Sequence, residues 1–486
     1  MSVTKIEHPS VEERQASGNE ARKRTPPSSH ANWRPAAGRP DPVGLLEEQN
    51  LTREPDLVPV RHGRMMVSPF TFYRGAAKIM AADLKDTPRA GLTVQLCGDA
   101  HLSNFGVFAS PERNLLFDLN DFDETLAGPF EYDVKRMSAS FTIAARNNGF
   151  SKAEARDAAL ASARAYRTSM AEFAEMTTMD VWYAHLSEKE LLRAISSGFG
   201  RDQALDAPRK SKKQGKAAKK AEKKVRKEAD KARTRDSLQA LSKLGELVDG
   251  RYRIVSQPPI IVPARDIDPA SYGLTADELE HAVHEQFRAY RATLQPDRRH
   301  LLERYEVIDV ARKVVGVGSV GTRAFIVLLQ GRDQQDPLFL QVKEATASVL
   351  EDHLPKSGYK QPGERVVEGQ RMMQAASDIY LGWTKRAEAN RYFYWRQLRD
   401  MKGSADVEAL KATGLAFYAR QCGWTLARAH ARSGDPIAIA AYLGEGDAFD
   451  KAIVDFSERY ADQNDRDYKA FTGAIREGRL QAIEGV

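Results

Sequence analysis

Leu96–Asp133, LCGDAHLSNFGVFASPERNLLFDLNDFDETLAGPFEYD, is the stretch on which a reading of this chain turns. Two short apolar runs, Val94–Leu96 and Leu115–Leu119, each lead into a polar cluster, the first with Asp99, His101 and Asn104, the second with Asp121, Asp123 and Glu124. Acidic and amide side chains gathered at the ends of two neighbouring strands repel each other unless a cation lies among them. A divalent metal or a metal–phosphate complex is the natural neutraliser.

Outward from this stretch, the composition sets bounds. A chain of 486 residues with 42% hydrophobic content can bury a large core and divide into more than one part. No apolar run approaches the eighteen residues needed to span a membrane, and MSVTKIEHPSVEERQ lacks the apolar centre of a signal peptide. Two cysteines, Cys97 and Cys422, point to a reducing cytoplasm rather than a disulfide scaffold, and they are too few for a cysteine-rich zinc site. The net charge of +6 is local in origin. Arg209–Arg235 carries 14 Lys/Arg against 3 Asp/Glu, so the rest of the chain stands at −5. This segment reads as a solvated helix or mobile insertion, with contact to nucleic acid or an anionic surface confined to it.

Residues 1–50, rich in Pro, Ser, Gly and charge, read as a mobile tail. RMMVSPFTFYRG (64–75) opens an aromatic, then helical, stretch in which Arg74 is either a packing arginine with a salt bridge or an anion contact near the acidic loop. Helical text follows over Val134–Asn147, Lys152–Met176 and Ser187–Ser196. Tyr252–Ala264 is Pro-interrupted extended chain, and Thr275–Thr293 is a helix. From Tyr305 the period switches: three β-branched runs separated by GSVG and RDQQDP predict an antiparallel meander. A helix over Gly363–Tyr380, a strand over Tyr392–Leu398, a helix over Ala405–Ala431 and a turn at Gly444–Gly446 complete the pattern. The expected organisation is a tail (1–50), a catalytic-loop part (51–300), a small nucleotide-binding part (301–400) and helices completing the large part (401–486).

Gly316, Gly318 and Gly321 form G-x-G-x-x-G in VVGVGSVGTRAF. A dinucleotide fold requires a helix after the glycines; a strand follows here, which matches a phosphate-covering loop in which backbone N–H groups and Ser319 face the phosphates. Lys343, on the third run, stands where a strand lysine holds phosphates, with Glu368 as its expected ion-pair partner and Glu364 or Glu351 as alternatives.

GDAHLSN (98–104) resembles the G-D-x-x-x-x-N catalytic loop of aminoglycoside- and choline-kinase-like enzymes, with Cys97 where those carry His. LNDFDETLAGPFEYDVKRM (119–137) is similar to their metal-binding segment. The resemblance implies Asp99 as catalytic base, Asn104 and Asp121 as metal ligands with Asp123 a second contact, Asp133 as a carboxylate that either supports the ligands from behind or caps a helix, and ATP with Mg²⁺ as nucleotide and metal. It also implies an α+β, two-lobed, protein-kinase-like fold, with a helical large lobe and a small antiparallel-sheet lobe. Because Asp99 precedes Lys343, and LARAHARSGD (426–435) ends a helix as such enzymes do before their catalytic loop, that fold would be circularly permuted. The acceptor, a hydroxyl or amine on a small molecule or protein, is not legible. Across Arg61–Trp395 the chain also resembles a widespread bacterial family of unknown function.

Three rivals stand beside the phosphotransferase. Asp99-x-His101 resembles the opening of a calcineurin-type phosphoesterase, but G-N-H-[DE] and G-H-x-H are absent from the sequence, leaving His101 to order the loop. A nucleotide-binding pseudokinase or interaction scaffold, and a nucleotidyl transferase on the same fold, use the same residues.

Overall fold

The computed structural model describes residues 8–198, 212–267, 276–386, 390–398 and 400–485. Residues 1–7 of the expected tail, 209–211 of the basic segment and Thr275 lie outside them.

The chain is mixed α+β with antiparallel sheets. Its helical part is built on the helix Glu131–Asn147, buried along its first fifteen residues. Serines and alanines along it let neighbouring helices approach closely. Lys152–Ala174, opened by a Ser151–Glu154 capping box, packs beside it. Ala412–Ser433 lies against Lys152–Ala174 at Gly423, where a Cβ would stand 2.4 Å from the Ser162 carbonyl oxygen, so only glycine permits this approach. Ala448–Arg476 closes the bundle. Residues 8–50 also belong to it rather than trailing free. Val11–Arg24 and Pro42–Asn50 are helices, Trp33 is buried against Phe456 and Tyr460, and Arg39 pairs with Asp83 and Asp467 at 2.6 Å each.

Strand β1 (Thr93–Leu96) pairs with β4 (Leu126–Pro129), while β2 (Phe105–Ala109) pairs with β3 (Leu115–Leu119). The two apolar runs of the acidic stretch are therefore not paired neighbours; each takes a partner from within the stretch. β5 (Gly245–Val248) and β6 (Arg251–Ile254) form a ribbon.

The expected meander is the centre of a six-stranded antiparallel sheet. It comprises β7 (Ile261–Pro263), β8 (Glu306–Lys313), β9 (Ala324–Gln330), β10 (Pro337–Ala345), β11 (Gly382–Arg386) and β12 (Arg391–Gln397), in the order β11-β12-β10-β9-β8-β7. β11 was not expected: the helix predicted to reach Tyr380 ends at Met373. β13 (Gly403–Ser404) extends the β2–β3 pair, and the following helix starts at Ala412 rather than Ala405.

Alternation along the strands assigns the faces of the large sheet. Leu340, Val342, Phe393 and Trp395 join Phe287 and Tyr290 of the helix Ala276–Ala292. The opposite face carries Phe339, Gln341 and Lys343, with Tyr394 directly across from Lys343 on β12. The basic helix Lys212–Arg233 is not wholly solvated: Ala229 and Ala232 are buried against Leu115, and Arg235 donates to the Lys402 carbonyl at 2.6 Å. No helix among the described residues is long and apolar enough to cross a membrane.

Candidate functional site

The first acidic loop turns at Gly98 (φ +85°), where a Cβ would lie 2.2 Å from the Glu124 carbonyl oxygen. Asp133 fixes the turn from below, accepting from the Cys97 and Gly98 amides at 2.7 and 3.0 Å. His430 Nε2 reaches the same carboxylate at 3.2 Å while Tyr166 hydroxyl bonds its other nitrogen at 2.9 Å. Asp99 then faces a cleft. Arg136 donates to its Oδ1 through Nε and Nη2, both at 2.7 Å, and is itself stacked 3.9 Å from the Tyr73 ring centroid. Oδ2 stands 3.7 Å from His101 Nε2, beyond hydrogen-bond range. Burial pushes His101 down to about 3, so its ring is neutral, and its Nδ1 accepts from the Ser103 amide, the loop-ordering role expected of it. Asn104 donates from Nδ2 to the Asp99 carbonyl at 2.7 Å, bracing the loop.

The second loop leaves β3, whose Asp118 is buried against Arg428 and accepts from the Ala375 amide at 2.9 Å. Asp121 accepts from the Asp123 amide at 3.2 Å. Lys343, buried on β10, donates to Asp123 at 2.6 Å and lies 3.9 Å from Asp121, and Tyr394 hydroxyl donates to the other Asp123 oxygen at 2.6 Å. Burial alone would raise the Asp123 carboxyl, but Lys343 and Tyr394 outweigh it and hold it below the usual range. Asp121 goes the other way, raised by burial and by the Asp123 charge. Burial opposes the charge on Lys343, yet the two carboxylates prevail and raise its pKa. Glu124, caught between burial and the Val349 amide it accepts at 2.7 Å, is lifted to about 7.

Lys343 thus corrects one expectation: its carboxylate partners come from the acidic loop, whereas Glu368 pairs with Arg371 at 2.7 Å on its own helix. From that helix it is Arg365 that reaches the loop, donating to the Asp123 and Thr346 carbonyls at 2.8 and 2.9 Å and to the Thr125 carbonyl. Glu351, the other alternative, lies 3.9 Å from Arg365.

The glycine loop bridges β8 and β9, with positive φ at Gly316 and Gly321. Arg64 donates to the Gly316 carbonyl at 2.6 Å, the Glu54 amide donates to Gly321 at 2.8 Å, and Arg53 donates to the Val320 carbonyl. The loop is thereby strapped to residues 53–64. Gly318 and Ser319 line a cleft of about 390 Å³ together with Asp99, Asp121, Asp123 and Glu124. That volume suits a small molecule. Arg53, Arg74 and Lys78 add positive charge to its wall.

Of the expected residues, Asp99, Asp121, Asp123, Gly318 and Ser319 meet at the cleft wall, and Lys343 backs it through Asp123. Gly316, Gly321 and Asn104 shape the loops, and Glu368 pairs elsewhere. Tyr394, Arg136, Arg365 and Arg53 were missed. The legible signal for Arg136 and Arg365 was a charge set inside an otherwise apolar helix face; Tyr394 carried none.

The family model described as "Uncharacterized protein conserved in bacteria (DUF2252)" matches residues 53–474. Comparisons with curated proteins and with solved structures give no match.

Proposed function

We propose that the chain, which belongs to this family of uncharacterized proteins conserved in bacteria (DUF2252), is a phosphotransferase using ATP and Mg²⁺ on a hydroxyl or amine acceptor. The carrying observation is the 3.9 Å between Lys343 Nζ and Asp121 Oδ2, residues from stretches more than two hundred positions apart, beside a cleft that also holds Asp99 and the tip of the glycine loop. On this reading the fold is protein-kinase-like and circularly permuted. In support, the strand lysine follows the glycine hairpin and precedes a helix and two further strands of the same sheet.

The residues suit a magnesium–nucleotide complex. Among the described residues no cluster of three or more His, Cys, Asp or Glu is arranged to hold a metal. Mg²⁺ commonly takes one or two carboxylates and completes its shell with water and phosphate oxygens. Asp121, beyond hydrogen-bond range of Lys343, is the carboxylate best able to serve it, and Asp123 the second. Bound there, the ion would neutralise the phosphate oxygens. Lys343 and the Gly318–Ser319 backbone would hold the phosphates, and Arg136 orients Asp99 so that Oδ2 can receive the acceptor proton. As that proton leaves, the acceptor oxygen or nitrogen bonds the γ-phosphorus, the bridging P–O bond breaks, and its electron pair departs with ADP.

Wild-type protein should gain thermal protection from ATP–Mg²⁺ and transfer label from γ-labelled ATP. Asp121→Ala should lose the protection, whereas Asp99→Ala should bind and not transfer. Unchanged ATP–Mg²⁺ binding in both Asp121→Ala and Lys343→Ala would sink the assignment. A second reading, nucleotide binding without turnover, draws on the two-pronged grip of Arg136 on Asp99, which occupies Oδ1. Binding without transfer from either the γ or the α position favours it, and α-label transfer favours nucleotidyl chemistry.

A further inference from the structure

We propose that Arg74 grips the phosphoryl group that is transferred, an inference that rests on the phosphotransferase reading. Arg74 stands in the last turn of the short helix Pro69–Gly75 and lines the cleft. Its Nε is buried without a hydrogen-bond partner. Among the described residues it has no ion pair, so the salt-bridge alternative offered by the sequence is not realised. Of the other cations around the cleft, Arg53 also has an unpartnered Nε and, among the described residues, no carboxylate in contact, though one Nη is tied to a carbonyl, while the rest are held by carboxylates. Lys343 is held by Asp123, Lys78 by Glu48 and Asp352 at 3.1 and 2.9 Å, Arg53 by the Val320 carbonyl, and Arg136 by Asp99.

A guanidinium taken partly out of water with no carboxylate among the described residues in direct contact, drawn only by the more distant charges of Asp99 and Glu408, is costly, and the cost is recovered when an anion enters. Its place says which anion. The Arg74 carbonyl lies 3.0 Å from where a Cβ on Gly318 would stand, so the tip of the glycine loop rests on this residue. On its other side, Arg136 ties Asp99 to the carbonyl of Tyr73, the preceding residue, at 2.8 Å. Arg74 therefore sits between the loop that would cover the phosphates and the carboxylate that would receive the acceptor proton. The group passing from nucleotide to acceptor must occupy that gap. A planar guanidinium matches the paired oxygens of a phosphoryl group.

The test compares wild type with Arg74→Met, which keeps a stem of similar length, and Arg74→Ala. Apo melting temperatures at or above wild type show that the variants fold. The probes are inorganic phosphate, Mg–ADP and a non-hydrolysable Mg–ATP analogue. Both variants should lose the phosphate-induced rise in melting temperature and bind the triphosphate analogue about ten- to a hundredfold more weakly, with Mg–ADP affinity changed less than about twofold. Variants that bind the analogue as wild type does, or that weaken both nucleotides equally, overturn the role. A wild type that takes phosphate through Arg74 but neither nucleotide overturns the phosphotransferase reading and leaves an anion site. A wild type indifferent to all three probes overturns both.

Discussion

Lys343→Met tests the electrostatic centre of the site without presuming any ligand. Methionine keeps much of the stem that packs on β10 and removes only the ammonium. Asp123 is left with Tyr394 hydroxyl as its close donor, and Asp121 with a backbone amide. Removing one partner of a fully buried ion pair costs about 3–5 kcal/mol. The Asp121 and Asp123 side chains, however, keep 32% and 29% of their exposure, so water recovers part of that and the expected loss at pH 8 is about 2–3 kcal/mol. The pH dependence follows from the signs. In wild type, Asp123 is held below its ordinary value, and that stabilisation is present above the ordinary carboxylate range and lost as pH falls through the folded value. In the variant, burial is opposed only by the Tyr394 hydroxyl and the charge of Arg396, the balance tips upward for the same carboxyl, and folded protein binds the extra proton, so stability falls as pH rises. Urea unfolding at pH 8, 6.5 and 5 should show the two proteins converging toward acid. Millimolar Mg²⁺ should restore part of the loss at pH 8 by replacing the missing charge. A variant within about 1 kcal/mol of wild type at pH 8, with a gap independent of pH, would refute the reasoning.

Other substitutions probe separate links. Glu124, lifted to about 7 by burial, favours the fold at low pH, and that contribution fades as pH rises through 7; Glu124→Gln should flatten the fall in melting temperature between about pH 5 and 8. Gly98→Ala meets both a left-handed backbone and a carbonyl 2.2 Å away, and should cost about 2–4 kcal/mol by urea melts, with an unchanged midpoint counting against the turn described. Arg39→Ala strands Asp83 and Asp467, whose side chains are 4% and 5% exposed, and should destabilise by about 3–5 kcal/mol; a mobile segment at 8–50 would give no measurable change.

What was legible in the sequence was chemistry at short range. Asp99, Asp121 and Asp123 announced themselves as carboxylates after apolar strands, and Gly316–Gly321 with Lys343 as a strand–loop–strand unit. What was not legible depends on register and competition. Tyr394 meets Asp123 because β12 pairs with β10 residue for residue, and neither strand's sequence names its neighbour. Glu368 looked like the partner of Lys343, but Arg371 three residues on offers it a local pair, and Asp123 outbids it for the lysine. β11 was hidden because MMQAASDIYL is apolar enough to continue a helix; Asp378 ends that reading by accepting from the Tyr380 amide at 2.8 Å. Residues 8–50 looked free because their anchors are scattered: Ala21, His30, Trp33, Arg39, Val43 and Leu46 hold a segment whose other side chains are mostly polar.

The order of these parts along the chain has a consequence for the chain as it is made. Asp123 waits 220 residues for Lys343, Asp133 waits 297 for His430, and Asp118 waits 310 for Arg428. At about 5–20 residues per second the first interval alone lasts about 10–45 s. Throughout it Asp121 and Asp123 exist without Lys343, although Arg136, already made, can pair with Asp99. A chain that stops before Lys343 carries Asp121 and Asp123 without the ammonium that holds them, and one that stops before Arg428 leaves Asp118 without its partner.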